Sequence, residues 1–152
     1  TEGVGKSRGV FWAHRGTPDE NLETPIFLVY SFYMGTFREQ IQISVLNDGQ
    51  TLETIDAVVD TGAAYTWIPS PVLEKMGVRP LRKQKLKIAN GDIIERDAGV
   101  VQIQLRGQAG PTWVIFGDPS SESLLGAITL EEFGLGVDPL NKTLIQVTYL
   151  QV

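Results

Sequence analysis

A run of apolar residues, Ala57-Val58-Val59, leads straight into an aspartate, Asp60. The chain then turns on Thr61-Gly62-Ala63 and re-enters an apolar stretch at Trp67-Ile68-Pro69. No other feature constrains the chain as tightly. A carboxylate at the end of a buried strand sits where desolvation makes its charged form costly. Such a group is paired, hydrogen-bonded or placed there for chemistry. Taken alone, Asp-Thr-Gly means no more than a strand-end aspartate closing its own turn, with glycine supplying a positive φ. The flanking pattern has to decide.

That pattern is mostly strand. Ile41, Ile43 and Val45 alternate with polar neighbours, and Asn47-Asp48-Gly49 supplies a hairpin turn. Leu52 to Val59 returns with Ile55, Ala57 and Val59 on one face and delivers Asp60 at its end. Ser70-Pro71 followed by Gly77 predicts a short helix, with Ser70 as N-cap, proline at the first helical position and glycine as the stop. Leu86-Lys87-Ile88, Asn90-Gly91 and Ile93-Ile94 predict a hairpin turning tightly on Asn-Gly in the primed geometry, its returning arm continuing through Val101, Ile103 and Leu105. Trp113 to Phe116 is a continuous apolar run suited to a strand buried on both faces. Leu124-Leu125-Gly126 then enters a second short helix. There Thr129-Leu130-Glu131-Glu132 matches a capping box, and Gly134 ends the helix. Leu135–Asp138 and Thr143–Val152 read as the last strands around a Pro139-Leu140-Asn141 turn. The expected domain is mainly β with one or two short helices.

Composition removes several function classes. With 152 residues the chain makes about one domain. It has no cysteine, which excludes thiol catalysis and cysteine-ligated metal, and a single histidine, His14, so a Ser-His-Asp triad or a histidine zinc site would hang on one residue. No metal or other cofactor is expected. A net charge of −5 gives no general attraction to nucleic acid or anionic membranes. The basic stretch Arg79 to Lys87 lacks interleaved aromatics and reads as a solvated loop and strand start. The longest apolar run, Ile26 to Met34, is too short to span a bilayer. The lack of cysteine fits a reducing compartment, so a cytoplasmic location is expected.

Residues 1 to about 24 are rich in glycine, charge and turn formers. Gly3 to Ser7 ends like a phosphate-binding loop, but no strand is expected before it. Met34 opens the first well-patterned segment. Residues 1–33 are therefore expected to be a flexible lead (a tag, a propeptide or a misplaced start) and 34–152 the folded domain.

Over roughly residues 37 to 150, the combination of Asp60-Thr61-Gly62-Ala63, Leu124-Leu125-Gly126 and the hairpin between them resembles the retropepsin-like aspartic proteases, the single-domain retroviral type with cellular and bacterial relatives. The resemblance implies a closed β-barrel half-lobe with a flap hairpin. Asp60 would be the catalytic residue, and Thr61, Gly62, Ala63, Leu125 and Gly126 would support its loop. Gly62, Ala64 and the flap tip Ala89-Asn90-Gly91 would contact a peptide or protein substrate. One chain holds one Asp-Thr-Gly, so the second carboxylate would come from another copy of the chain. The implied activity is a homodimeric aspartic endopeptidase, with Thr61 bonding across the two-fold axis. The alternative is a non-catalytic dimeric module of the same fold that binds a peptide or protein.

Three departures from the family pattern carry expectations. Ala64 stands where relatives often place Ser, Thr or Asp, and losing that side chain would raise the catalytic pKa or weaken peptide binding. The flap tip holds one glycine, which implies a stiffer or differently shaped lid. The segment from Pro71 to Lys85 is long and carries an extra helix, as in cellular relatives. The final strand, with Ile145, Val147 and Tyr149 alternating, is expected to pair with its symmetry mate. Glu131-Glu132 is expected to cap and solvate a helix N-terminus, and Asp138 to serve its turn. Trp67 and Trp113 are expected in the core or groove wall, and Tyr65 is a candidate for the cleft.

Overall fold

The structure, a computed structural model, describes residues 3–7, 10–14, 23–25, 36–47 and 52–148. Gly3–Ser7 (β1), Val10–His14 (β2) and Glu23–Pro25 (β3) form a three-stranded antiparallel sheet. The expected domain start at Met34 lies outside the described residues.

The remaining strands are Arg38–Val45 (β4), Glu53–Val59 (β5), Thr66–Pro69 (β6), Arg82–Lys87 (β7), Ile93–Leu105 (β8), Gln108–Gly117 (β9), Leu124–Leu125 (β10), Leu135–Asp138 (β11) and Thr143–Gln146 (β12). Two short helices interrupt them, Ser70–Met76 (α1) and Ala127–Glu132 (α2). The main sheet runs β4-β5-β10-β6-β9-β8-β7, and β4 also pairs with β8. That extra pairing closes six strands into a barrel and leaves β7 outside, on the near half of β8.

Alternation drives the closure. Ile41 and Ile43 of β4, Ile55, Ala57 and Val59 of β5, and Val101, Ile103 and Leu105 of β8 all point into one core. Ile68, Leu73, Val114, Leu125 and Leu130 complete it, each fully buried. Each such side chain contributes roughly 1.5–3 kcal/mol of burial. β8 pairs with β9 along one edge and, because it is long, serves two further partners along the other. Its first half pairs with β7, Lys87↔Ile93 to Arg82↔Ala98, and its second half with β4, Val45↔Val101 to Gln42↔Gln104.

Both helix starts differ from expectation. Helix α1 has Pro69 at its N-cap position with no side-chain cap, and Ser70 lies inside the helix. The Ser70 hydroxyl donates to the Gly117 carbonyl at 2.7 Å, so a tertiary acceptor takes the group that would have capped. Gly77 ends the helix in the left-handed region at φ 86, as expected. Helix α2 starts at Ala127, two residues before Thr129, with Gly126 at its N-cap position. Its first amides already have partners, because Ala127 and Ile128 donate to the carbonyls of Ala63 and Ala64 at 2.8 and 2.9 Å. A capping box is unnecessary there, and Glu131-Glu132 falls in the last turn rather than the first. The flap turn also differs. Gly91 donates to the Ile88 carbonyl at 2.9 Å with φ 91, while Asn90 keeps a negative φ. This is a three-residue loop with glycine in the left-handed position, not a two-residue primed turn.

Asp138 serves its turn as expected, accepting from the amides of Leu140 and Asn141 and from the Asn141 side chain. β12 pairs with β11. The strand ends at Gln146, short of the expected run to Val152: Val147 and Thr148 follow it outside any strand, and Tyr149 to Val152 lie outside the described residues, as does Asp48-Gly49 of the first turn.

Candidate active site

Asp60 is delivered by β5 at the point where β10 joins it. Leu124 and Leu125 pair in parallel with Val58 and Val59, and Leu124 also faces Trp67 of β6. The two leucines therefore wedge open the gap between β5 and β6, and the chain of residues 60–65 has to loop over that wedge. The loop is bonded at both ends. The Asp60 amide donates to the Leu125 carbonyl at 3.0 Å, and the Ala127 and Ile128 amides reach back to Ala63 and Ala64. Gly126 is obligatory at this crossing, since a Cβ there would lie 2.4 Å from both the carbonyl carbon and the oxygen of Tyr65.

Within the loop, the Gly62 amide donates to Asp60 Oδ1 at 2.9 Å, and the Ala63 amide donates to the Asp60 carbonyl at 3.2 Å. Burial holds the Asp60 carboxyl above its ordinary pKa, and the Gly62 and Ala63 amides oppose that rise. The rise has the direction expected from the missing side chain at position 64, but its main cause is desolvation. Beside it, the Thr61 hydroxyl oxygen is buried and has no hydrogen-bond partner among the described residues. Gly62 and Ala64 are exposed, and Tyr65, Trp67 and Trp113 are half-buried.

The structure thus brings Asp60, Thr61, Gly62, Ala63, Leu125 and Gly126 together. Ala89, Asn90 and Gly91 lie at the exposed tip of the β7–β8 hairpin, and the Asn90 side chain bonds the Asp92 amide and carboxylate within that tip. No hydrogen bond joins the tip to the Asp60 loop among the described residues. At its root the hairpin is held by Arg82, whose guanidinium lies 4.0 Å from the Trp113 ring centroid, and by Arg96 against Asp118 at 3.4 Å. The basic stretch is largely the flap's outer strand.

Two groups escaped the sequence reading. Arg38 reaches both Asp56 and Glu122, tying the loop before β10 to β4 and β5. Thr66, Thr112 and Thr129 form a buried hydroxyl cluster behind Gly126. Nothing in the spacing marks either group, because the partners come from separate elements. No cluster of three or more His, Cys, Asp or Glu able to hold a metal occurs among the described residues, and no helix there is long and apolar enough to cross a membrane.

A closed β half-lobe with an Asp-Thr-Gly loop braced by Leu-Leu-Gly defines a retropepsin-like aspartic protease fold. Residues 43–132 match the family described as "gag-polyprotein putative aspartyl protease"; this is more than half of the chain, and the chain belongs to that family. No curated protein matches it. Similar solved structures include the simian foamy virus (mac) protease in solution, at 19% identity and TM-score 0.43 over 62% of this chain and 94% of that one. The EIAV protease complexed with the inhibitor HBY-793 is similar at 19% identity and TM-score 0.49, over 65% and 88%. The foamy viral protease-reverse transcriptase in complex with RNA/DNA hybrid is similar at 16% and 0.44, over 62% and 12%.

Proposed function

We propose that the protein is an aspartic endopeptidase that works as a homodimer, the Asp60 of each chain supplying half of the catalytic pair. The observation that carries this reading is the Thr61 hydroxyl, buried without a partner among the described residues on the loop that holds the desolvated Asp60. An unpaired buried hydroxyl is costly. A two-fold axis beside the loop would give each Thr61 an acceptor in the other chain and each Asp60 a second carboxyl.

Two carboxyl groups sharing one site cannot both ionise cheaply, so one keeps its proton. The ionised group takes a proton from a water, which attacks the scissile carbonyl, while the protonated group donates to the carbonyl oxygen. As the C–N bond breaks, the group that took the water's proton passes it to the leaving amine, and the other carboxyl recovers its proton from the collapsing diol. Gly62 and Ala64 are exposed on the loop where the substrate backbone would lie, and the β7–β8 hairpin would close over it and exclude water. A chain that only binds peptides has no need to bring two repelling carboxyls together, which favours the enzyme over the binding module.

The test is cleavage of a peptide library at acidic and near-neutral pH by wild type and Asp60→Asn. Wild type should cleave and the variant should not. Equal cleavage by both, or none by a dimeric wild type, removes the reading. Dilution should abolish activity cooperatively as dimers part.

A further inference from the structure

Three buried threonines stand in line behind the Asp60 loop, one each from β6, α2 and β9. Thr66 Oγ1 lies 2.7 Å from Thr129 Oγ1, which lies 2.8 Å from Thr112 Oγ1. All three residues are no more than 2% exposed. At one end the Gly126 amide donates to Thr66 Oγ1 at 3.1 Å. At the other, Thr112 Oγ1 lies 3.4 Å from Glu132 Oε1.

Counting protons sets a direction. An amide can only donate, so Thr66 accepts from Gly126. A carboxylate can only accept, so the one Thr112 proton goes to Glu132. Thr112 then has none left for Thr129, so Thr129 donates to Thr112 and Thr66 donates to Thr129. The bonds run one way, from Gly126 through Thr66, Thr129 and Thr112 to Glu132, and every hydroxyl gives one and accepts one. Reversed, the Thr66 proton would be buried with no acceptor, which costs free energy. Successive bonds of this kind strengthen one another at low local dielectric.

We propose that this threonine relay positions the Asp60 loop, with Glu132 as its surface anchor. Gly126 cannot carry a side chain to lock its peptide in place, because Tyr65 fills that space. The relay holds its amide instead. The adjoining Leu125 carbonyl receives the Asp60 amide, so the hold on Gly126 passes directly to the aspartate. Thr66, Thr112, Thr129 and Glu132 touch no reacting group and are positioning residues. Only the effect on catalysis rests on the peptidase reading; the relay itself does not.

The decisive variant is Thr129→Val, which keeps the shape and removes the middle hydroxyl. Amide hydrogen exchange at Gly126 and Asp60 should speed up by about tenfold, while the β4 and β8 amides stay as in wild type. In peptide cleavage kcat should fall about tenfold or more with KM little changed. Thr129→Ser should restore both. If Thr129→Val does not fold, Glu132→Leu at the exposed end should loosen the same two amides by a smaller factor. Unchanged exchange at Gly126 and Asp60, a uniform rise throughout the barrel, or failure of serine to rescue would each overturn the proposal. A wild type that cleaves nothing would end the peptidase reading, while the exchange comparison would still decide the relay.

Discussion

Gly126 passes so close to Tyr65 that a methyl group in place of its hydrogen would lie 2.4 Å from the Tyr65 carbonyl. The obstacle is backbone on both sides, so no side chain can swing away. Gly126→Ala must therefore part α2 from the Asp60 loop or strain the Tyr65–Thr66 peptide. Overpacking in a close-packed interior costs about 1–3 kcal/mol, and this crossing belongs at or above the upper end. A urea titration should show a lower midpoint with an unchanged slope. A midpoint equal to that of wild type would mean that the crossing is not under tight packing.

Thr61→Val separates folding from association. Removing a buried hydroxyl with no partner among the described residues should leave monomer stability unchanged or slightly higher. In the proposed dimer the same change deletes two symmetry-related bonds, so the dissociation constant should rise about tenfold or more. Sedimentation across a dilution series reads the association, and urea unfolding at low concentration reads the fold. A variant that dimerises as wild type does would remove Thr61 from the interface.

How far the sequence alone reaches is clear from individual residues. Ile41 and Ile43 alternate with polar neighbours, Ile55, Ala57 and Val59 fall at every second position of their strand, and this period of two reports which strand face meets a core. Asp60 at the end of β5 and Gly126 at the start of α2 were legible for a related reason, since each is a residue type that its position can hardly do without. Helix starts were not. Ser70 and Thr129 look like caps from their neighbours, but each hydroxyl is claimed by a group more than a dozen residues away, Gly117 for one and Thr66 with Thr112 for the other. A local rule cannot see a tertiary competitor. The same blindness hid the relay, since Thr66 and Thr112 are ordinary strand formers until α2 docks between them. The flap turn failed for a subtler reason. Asn90-Gly91 fits two hairpin geometries, and only the pairing of Ile88 with Asp92 selects the longer loop.

The burial of Asp60 has a pH signature. Its folded-state pKa is raised above the unfolded value near 3.8, chiefly by desolvation. Between the two values the folded chain holds more protons than the unfolded one, so stability falls as pH rises through that window. The penalty is fully present above the folded pKa and absent below the unfolded one. Asp60→Asn keeps an acceptor for the Gly62 amide and removes the ionisable group. It should therefore be more stable than wild type at neutral pH, and the advantage should vanish on acidification below about pH 4. Paired urea titrations from pH 3 to pH 8 would measure it. An advantage that grows towards acid would mean that the carboxylate is stabilised in the fold rather than desolvated.

At the flap tip, Gly91 sits at φ 91 with nothing within 4 Å of where a Cβ would be. The space is open, so any cost of Gly91→Ala is conformational, about 1–2 kcal/mol for a left-handed residue with a side chain. The hairpin's other ties lie at its root, Arg82 on Trp113 and Arg96 against Asp118, far along β7 and β8 from the turn. Strain at the tip should therefore loosen the Ile88–Asp92 pair without unfolding the barrel. Amide exchange should rise at Ile88 and Gly91 and stay constant at Val101 and Ile103. If the tip closes on substrate, KM should rise about two- to tenfold while the melting temperature moves by only a few degrees. A Gly91→Ala protein with wild-type exchange at Ile88 would show that the turn tolerates another geometry, and that the left-handed glycine is not what shapes the lid.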